Sequence, residues 1–348
     1  MLINLRKLIC WLACLSALVC WLPPTAQAGI ISTRQEIKLG QDVAQQLEKR
    51  FGLVDDPALQ ARVAEIGARI VAVSNRQDIK YSFKVLNTNE INALALPGGF
   101  VYLFKGLIDY MPSDDELAAV IGHEVAHITE RHTVKQIEKN LAVSLIFGVV
   151  FGDRAALLQH LAFNAIMAGY SRDDEREADR FGFYYALKGG FNPYGMEITQ
   201  LKLAALTDTP NYGLFSSHPE PERRIALLQR YAQEANIRPQ VKTGEDGAYV
   251  VDDQWQLPPF KVEAHGYQAL HRAYLCAGNL YRVSQRQNLS PDWLILANEG
   301  DEYSIYYDDI KIVTLTMQDA VQAGMPLIDL ANRYIFQISN WLRSRGQV

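Results

Sequence analysis

The sequence predicts a mainly helical α+β fold with a small β-sheet, and three observations support this class. Apolar residues recur at helical spacing through most of the first 235 positions, for example at Val63, Ile66 and Ile70. A short stretch around Phe83 instead alternates apolar and polar residues, which is typical of a strand. Hydrophobic residues make up 49% of the 348 positions and charged residues 21%, so the chain can bury a sizeable core and is not a disordered protein.

Helices are predicted where a capping residue precedes an apolar repeat. In chain order we expect them over residues 32–51, 57–74, 113–132, 171–187, from 192 onward, and 222–235. Thr33 with Glu36 and Ser113 with Glu116 have capping-box spacing, and Pro57 suits the first position of a helix. Between the second and third helices, a strand around Phe83 and two further apolar pieces on either side of a Pro-Gly-Gly sequence form the sheet.

The last hundred or so residues predict a small α+β module. Residues 237–260 are rich in Gly, Asp and Pro and indicate a linker. Residues 302–307 and 310–316 predict a hairpin, and the apolar stripe from Leu327 to Trp341 predicts a closing helix. We therefore divide the chain into residues 1–28, a main domain over residues 29–238 and a C-terminal module over residues 239–348, which we expect to fold by itself.

Residues 1–28 have the features of a Sec-type export signal. Arg6 and Lys7 precede an apolar run, and Ala26-Gln27-Ala28 suits cleavage after Ala28. An uncleaved membrane anchor is the alternative, but the run is shorter than the ~20 residues that a spanning helix needs. The sequence therefore predicts an exported protein with its signal removed.

The composition of the mature chain excludes two classes of partner and one class of metal site. Without the signal, 32 basic residues oppose 39 acidic ones and no basic stripe is present, so neither nucleic acid nor an anionic lipid surface is an expected partner. Cys276 is the one cysteine left after cleavage. A single thiol can form neither an internal disulfide nor a cysteine-rich zinc cluster.

The strongest chemical signal is the segment His123-Glu124-Val125-Ala126-His127. Residues four apart share one face of a helix, so both imidazoles can reach one metal ion, and Glu124 then lies beside a water on that ion, where it can act as general base. A pair of histidines on a surface helix is the alternative. The apolar residues that precede the motif argue against it, because unpaired polar groups are costly to bury.

A catalytic zinc site needs a third protein ligand, and the best source is the predicted helix that begins at Ser171. Glu175 and Asp179 lie four apart on one face of this helix, so one carboxylate can bind the metal while the other orients an imidazole. Glu177 points away from that face and is a poorer candidate. An exposed, acid-rich first turn of a helix is the alternative interpretation.

At this point the chain resembles the HtpX, BepA and CAAX prenyl protease family of zinc metalloendopeptidases. The resemblance covers roughly residues 35–235 and rests on motifs in family order: Asn92 to Gly99, the His123–His127 segment with Glu130-Arg131-His132 after it, the helix with Glu175 and Asp179, and His218-Pro219 followed by Arg224-Ile225. It implies a gluzincin-like protease domain over residues 29–238. It also implies one Zn²⁺ per chain with His123, His127 and Glu175 as ligands, Glu124 as catalytic base, and Asp179 as partner of a liganding imidazole.

The resemblance also extends to substrate binding. Asn92, Pro97, Gly98 and Gly99 belong to a segment similar to the family's edge strand beside the cleft, where Pro and Gly leave backbone groups accessible to an extended peptide. His218 precedes a proline, and in related proteins such a histidine approaches the metal, either as an oxyanion stabiliser or as a plug of the open position. A helix cap is the alternative for His218. Arg224, in the same motif, is a further candidate site residue.

Together these features predict an exported zinc endopeptidase of the bacterial periplasm or cell envelope. We expect it to cleave misfolded or unassembled envelope proteins, which would be its partners. The apolar residues 141–151 are a candidate for peripheral membrane contact, with a plain buried helix as the alternative. Two other functions are left open: an envelope assembly or binding factor with a plugged zinc site, and a zinc hydrolase of peptidoglycan peptides.

Overall fold

The computed structural model describes residues 31–146, 161, 163–166, 169–206 and 221–345. The helices are α1 (Thr33–Phe51), α2 (Pro57–Ala72), α3 (Lys105–Tyr110), α4 (Asp114–Thr129), α5 (His132–Ile146), α6 (Arg172–Lys188), α7 (Gly195–Ala204), α8 (Pro221–Glu234), α9 (Ala269–Ser284), α10 (Met317–Ala323) and α11 (Leu327–Arg345). The strands are β1 (Ser82–Leu86), β2 (Ala93–Leu96), β3 (Phe100–Phe104), β4 (Gln240–Gly244), β5 (Gly247–Asp252), β6 (Trp255–Gln256), β7 (Leu294–Asn298), β8 (Glu302–Tyr307) and β9 (Ile310–Thr316). The predicted class, mainly helical with small sheets, is confirmed.

Some predictions fall outside the described residues. These are the export signal over residues 1–28, His218, and the apolar run 141–151 beyond Ile146. Within the described part of the chain, no helix has the length and apolar character needed to cross a membrane.

The first sheet has the strand order β1-β3-β2, with β1 parallel and β2 antiparallel to the central strand β3. Helix α2 packs against β1, and helix α4 packs against β2. All four residues of β2 are buried, although β2 is an edge strand. The helix that carries the two histidines therefore lies directly beside the sheet edge.

The Pro97-Gly98-Gly99 turn joins β2 to β3, and its three residues are buried rather than accessible as the sequence suggested. Gly98 and Gly99 have φ angles of +78° and +104°, a region that favours glycine. A Cβ on Gly98 would lie 2.5 Å from the Cα of Ile37. Both glycines are thus explained by a tight turn packed against α1.

Two helix boundaries differ from the predicted ones, and one buried acid explains both. Helix α1 is capped by Ser32 with Gln35 rather than by the expected Thr33 and Glu36. Glu36 instead is buried and accepts hydrogen bonds from Arg76 and Arg131. The helix predicted over 113–132 ends at Thr129 and a new one starts at His132, because Arg131 adopts a φ of +57° where it reaches Glu36.

The segment over residues 237–260 is not a linker, because it forms the sheet β4-β5-β6. Alternate residues of β5, namely Ala248, Val250 and Asp252, are buried, and β5 packs against α9. The hairpin of β8 and β9 has the predicted strand boundaries and is extended by β7, giving the order β7-β8-β9. Cys276 on α9 is a buried core residue.

The apolar core is continuous across residue 238. One cluster contains Tyr194 and Leu228 from the main domain together with Val250, Leu280 and Ile338 from the C-terminal module. A polar contact adds to it: Tyr267 donates a 2.5 Å hydrogen bond to the buried Glu116 of α4. The boundary at residue 238 stays a prediction, but the two parts share a core rather than a small contact.

This shared core predicts that a chain truncated after residue 238 does not fold. Truncation would expose side chains such as Tyr194, Leu228 and Tyr231, each worth roughly 1.5–3 kcal/mol when fully buried. A few such losses together amount to a large part of the free energy of unfolding of a domain, which is about 5–15 kcal/mol. We expect no cooperative thermal transition in circular dichroism, whereas a control that ends at Arg345 melts like the full mature chain. A soluble, cooperatively melting truncated chain would contradict this expectation.

Candidate metal centre

The candidate centre forms where helices α4 and α6 cross at very short range. A Cβ on Gly182 of α6 would lie 2.7 Å from the backbone nitrogen of His123. A Cβ on Gly122 of α4 would lie 2.8 Å from the carbonyl oxygen of Gly182. The two helices can therefore approach this closely only with glycine at both positions.

The crossing brings together the three predicted metal ligands. The Nε2 atoms of His123 and His127 lie 3.0 Å apart. Each is 3.5 Å from a carboxylate oxygen of Glu175. All three side chains are buried, and their ligand atoms lie within 4.8 Å of one another.

Hydrogen bonds at the other ring nitrogens orient both imidazoles. The Nδ1 atom of His123 lies 3.0 Å from Oδ1 of Asp179. The Nδ1 atom of His127 lies 2.8 Å from Nδ1 of His132, whose Nε2 is 3.0 Å from Oε2 of Glu177. If each Nδ1–H of the two α4 histidines donates, His132 accepts at Nδ1 and donates its Nε2–H to Glu177. Every contact is then satisfied, and the Nε2 lone pairs of His123 and His127 point to one place.

The donor set fits a zinc ion. Two neutral imidazole nitrogens and a carboxylate are common zinc ligands, and three protein ligands are typical of a catalytic rather than a structural site. Two lone pairs held 3.0 Å apart repel each other unless a proton or a cation lies between them. The arrangement is therefore that of a cation site, and the stacking of the Tyr170 ring on His127 at 3.7 Å shields one side of it.

Arg224 of α8 joins the two acidic side chains of α6. Its guanidinium donates to Asp179 Oδ2 at 2.7 Å and Oδ1 at 2.5 Å, and its Nη1 lies 3.2 Å from Glu175 Oε2. Burial alone would raise the pKa of Asp179, but the positive charge of Arg224 and the hydrogen bonds with His123 and Arg224 together outweigh it, and the pKa is lowered. Asp179 therefore stays ionised beside His123.

Glu124 follows His123 directly and is buried. It lines a cavity of about 30 Å³ together with His123 and Asp179 on one side and Met196 and Gln200 of α7 on the other. The predicted catalytic base therefore lies beside the histidines, at the edge of a small space next to the ligand cluster.

The structure brings six of the predicted site residues together. His123, Glu124, His127, Glu175, Asp179 and Arg224 form one buried group. Asn92 precedes β2, where its side chain accepts from the backbone N–H of Ala93, and the Pro97-Gly98-Gly99 turn packs against α1. Their role in substrate binding stays a prediction, and His218 lies outside the described residues.

Sequence reasoning missed three contributions to the centre. These are the close approach at Gly182, the stacking by Tyr170, and the His132–Glu177 pair behind His127. Glycines inside predicted helices at 122 and 182 were the available signal for the first. The other two depend on how α6 lies against the α4–α5 corner, which no local pattern specifies.

Comparisons with known proteins agree with this arrangement. The model of Peptidase family M48 matches residues 57–232, and a domain of unknown function, DUF8459, matches residues 249–345. A Vibrio cholerae relative assigned to the beta-barrel assembly-enhancing proteases is 31% identical over 88% of this chain and 59% of its own length.

Two Escherichia coli K12 proteins are also similar. The beta-barrel assembly-enhancing protease is 28% identical over 65% of this chain and 49% of its own length, and the metalloprotease YcaL is 32% identical over 48% of this chain and 68% of its own length. The chain thus spans 59% of the length of the Vibrio cholerae relative and 49% of the length of the Escherichia coli assembly-enhancing protease.

The close crossing predicts that Gly182→Ala damages the protein although alanine is the better helix former. In an uncrowded helix the change would stabilise by about 1 kcal/mol. Here the new methyl group would meet the backbone at His123, and such overpacking costs typically 1–3 kcal/mol. We expect a lower melting temperature and weaker zinc retention on dialysis. A higher melting temperature with unchanged zinc content would show that the helices are not in close contact.

The ligand geometry predicts that Glu175→Gln loses bound metal, because an amide oxygen replaces a charged ligand atom. The matched variant is Glu177→Gln on the same helix, which keeps an oxygen that can accept from His132 and so should retain most of the metal. Zinc per chain, measured by atomic emission after dialysis, separates them. Full zinc in the first variant and loss in the second would reverse the assignment.

Proposed function

Because the chain belongs to peptidase family M48 and is a metalloprotease, we propose that it is an exported zinc endopeptidase that cleaves misfolded or unassembled proteins of the cell envelope. The observation that carries the proposal is the convergence of His123, His127 and Glu175 on one point beside Glu124. Of the groups of histidine, cysteine and acidic residues in the described part of the chain, this one has the geometry of a metal site.

In this proposal one Zn²⁺ per chain is held by His123, His127 and Glu175. When bound, zinc supplies a Lewis acid that lowers the pKa of water and polarises a peptide carbonyl. The protein holds the three ligands in a buried site where Arg224 is already bonded to Glu175 and Asp179, so little reorganisation accompanies the reaction.

Glu124 acts as the general base. It accepts a proton from the attacking water and later donates it to the amine nitrogen of the leaving peptide fragment. Asp179 keeps His123 in the tautomer with a free Nε2, and Arg224 keeps Asp179 charged. These two residues position the reacting groups and do not touch the substrate in this scheme.

The place of action is also part of the proposal. The Sec-type signal over residues 1–28, with cleavage after Ala28, supports a periplasmic location. Two relatives bear names that refer to beta-barrel assembly, which supports envelope proteins as substrates. Unfolded chains suit a cleft that binds backbone at a sheet edge, and the acidic composition argues against nucleic acid as a partner.

The remaining proposals concern substrate access. We assign the edge of β2, with Asn92 before it and the Pro97-Gly98-Gly99 turn after it, as the strand along which an extended peptide lies. The packing of β2 against α4 supports this, since it puts the edge next to the metal-binding helix. His218 is proposed as a resting plug or an oxyanion stabiliser, and residues 141–151 as a peripheral membrane contact.

The proposal predicts that Glu124→Gln keeps its zinc while cleavage of unfolded casein falls by about 100-fold or more, since general-base assistance contributes roughly 10²–10⁴-fold. Glu130→Gln, at the end of the same helix, is the matched control and should cleave like the wild type. Zinc content and peptide release are measured on the same preparations. Release of peptides from peptidoglycan but not from casein would indicate the cell-wall hydrolase, and no cleavage of either would indicate a binding factor.

A further inference from the structure

A groove in the C-terminal module lies between strand β9 and helix α9. It has a volume of about 390 Å³ and is separate from the metal centre. One wall consists of the consecutive residues 310–314 of β9. The other consists of Arg272, Cys276, Asn279 and Arg282, which share one face of α9.

The β9 wall is the open edge of a sheet. Among the strands of the described residues, β9 pairs with β8 alone, in the order β7-β8-β9. Two side chains already bond to its backbone: Arg272 Nη2 donates to the carbonyl oxygen of Thr314 at 3.0 Å, and the N–H of Thr316 donates to Asp319 at 2.8 Å. An open edge presents N–H and C=O groups that can form hydrogen bonds with the backbone of another extended chain.

The two walls match in length and direction. Arg272 bonds to Thr314, whereas Arg286, just after α9, pairs with Asp309, just before β9, so the helix and the strand run antiparallel. Residues 310–314 extend over ~13 Å at the usual rise of a strand. The helical stretch from Arg272 to Arg282 extends over ~15 Å at the usual rise of a helix. The groove therefore holds about four or five residues of extended peptide.

Arg282 supplies a cation at one end of this groove. Its side chain is partly buried, and the carboxyl of Asp115, which lines the same groove, lies within the electrostatic reach of its guanidinium. The nearby Asp115 is bonded by the backbone N–H of Asn192; burial raises the pKa of its carboxyl, while the positive charge of Arg282 acts on the same carboxyl in the opposite direction. The Arg286–Asp309 pair, at 2.5 Å, connects helix and strand beyond Arg282, with both side chains exposed to solvent.

We propose that this groove binds the C-terminal residues of an unfolded polypeptide as an added antiparallel strand on β9, with the terminal carboxylate at Arg282. A carboxylate at the Arg282 end makes the peptide run opposite to β9, and antiparallel pairing gives the better hydrogen-bond geometry. The proposal rests on the proposed function only in taking the bound polypeptide to be a protease substrate.

The test uses the full mature chain carrying Glu124→Gln, so that the probe is not cleaved. The probe is a fluorescein-labelled six-residue peptide of alternating threonine and valine, with either a free or an amidated C-terminus, and binding is followed by fluorescence anisotropy. We expect the amidated probe to bind at least about 10-fold more weakly, as loss of a charge-assisted hydrogen bond implies. Arg282→Gln should weaken binding of the free acid equally and leave binding of the amide unchanged.

Arg343→Gln, on the exposed face of α11, is the control for the change in net charge and should not affect binding. Hydrogen exchange gives the second measurement: the free-acid probe should protect amides of residues 310–314, and circular dichroism should show that each variant folds. Equal affinity of acid and amide, an unaffected Arg282→Gln variant, or protection confined to other residues would each overturn the proposal. Casein cleavage by the wild type is measured separately, so failure of the groove and failure of the protease are distinguishable.

Discussion

The close crossing of helices α4 and α6 is the constraint on which the candidate site depends. Gly122 and Gly182 let the two backbones meet at a distance that any Cβ would obstruct. Each glycine costs its helix about 1 kcal/mol relative to alanine, a loss that the packing between the helices must offset. Glu175 and Asp179 lie one turn apart on α6. Only at this helix separation do they reach the two nitrogens of the His123 ring, Glu175 at Nε2 and Asp179 at Nδ1.

The same crossing creates a charge problem that Arg224 partly solves. Glu124, Glu175 and Asp179 are buried close together, and buried carboxylates are stable only when they are paired. Arg224 contributes one positive charge and bonds to two of them. A divalent cation at the two imidazoles and Glu175 would balance the three carboxylates, so metal binding and the stability of the site are linked. The docking of α8 is therefore part of building the site, although α8 contributes no metal ligand.

The parts of the structure that the sequence could predict are those that local chemistry determines. Ser113 and Glu116 form the predicted capping box, and the spacing on α4 and α6 nominated the two histidines and a pair of acids, of which the family resemblance indicated Glu175 as the ligand. The break between α4 and α5 was not predictable, because Arg131 leaves the helix to reach Glu36, almost a hundred residues earlier in the chain. The region of strands β4 to β6 is predicted to be a linker for a similar reason. Its Gly- and Asp-rich sequence resembles a loop, and the contacts that stabilise its strands come from α9, which follows them in the chain.

The contact between the C-terminal module and α4 is the clearest case of such long-range dependence. Glu116, which caps α4, is fully buried, and its carboxylate is bonded by Lys202 of α7 at 2.8 Å and by Tyr267 of the C-terminal module at 2.5 Å. From the sequence, Glu116 is an ordinary capping residue that could face solvent. In the fold, its burial requires both partners, because a buried carboxylate without them would be left unpaired. The first turn of α4, two turns before His123, is therefore held in place by residues on both sides of residue 238, and the C-terminal module contributes to the geometry of the metal centre without touching it.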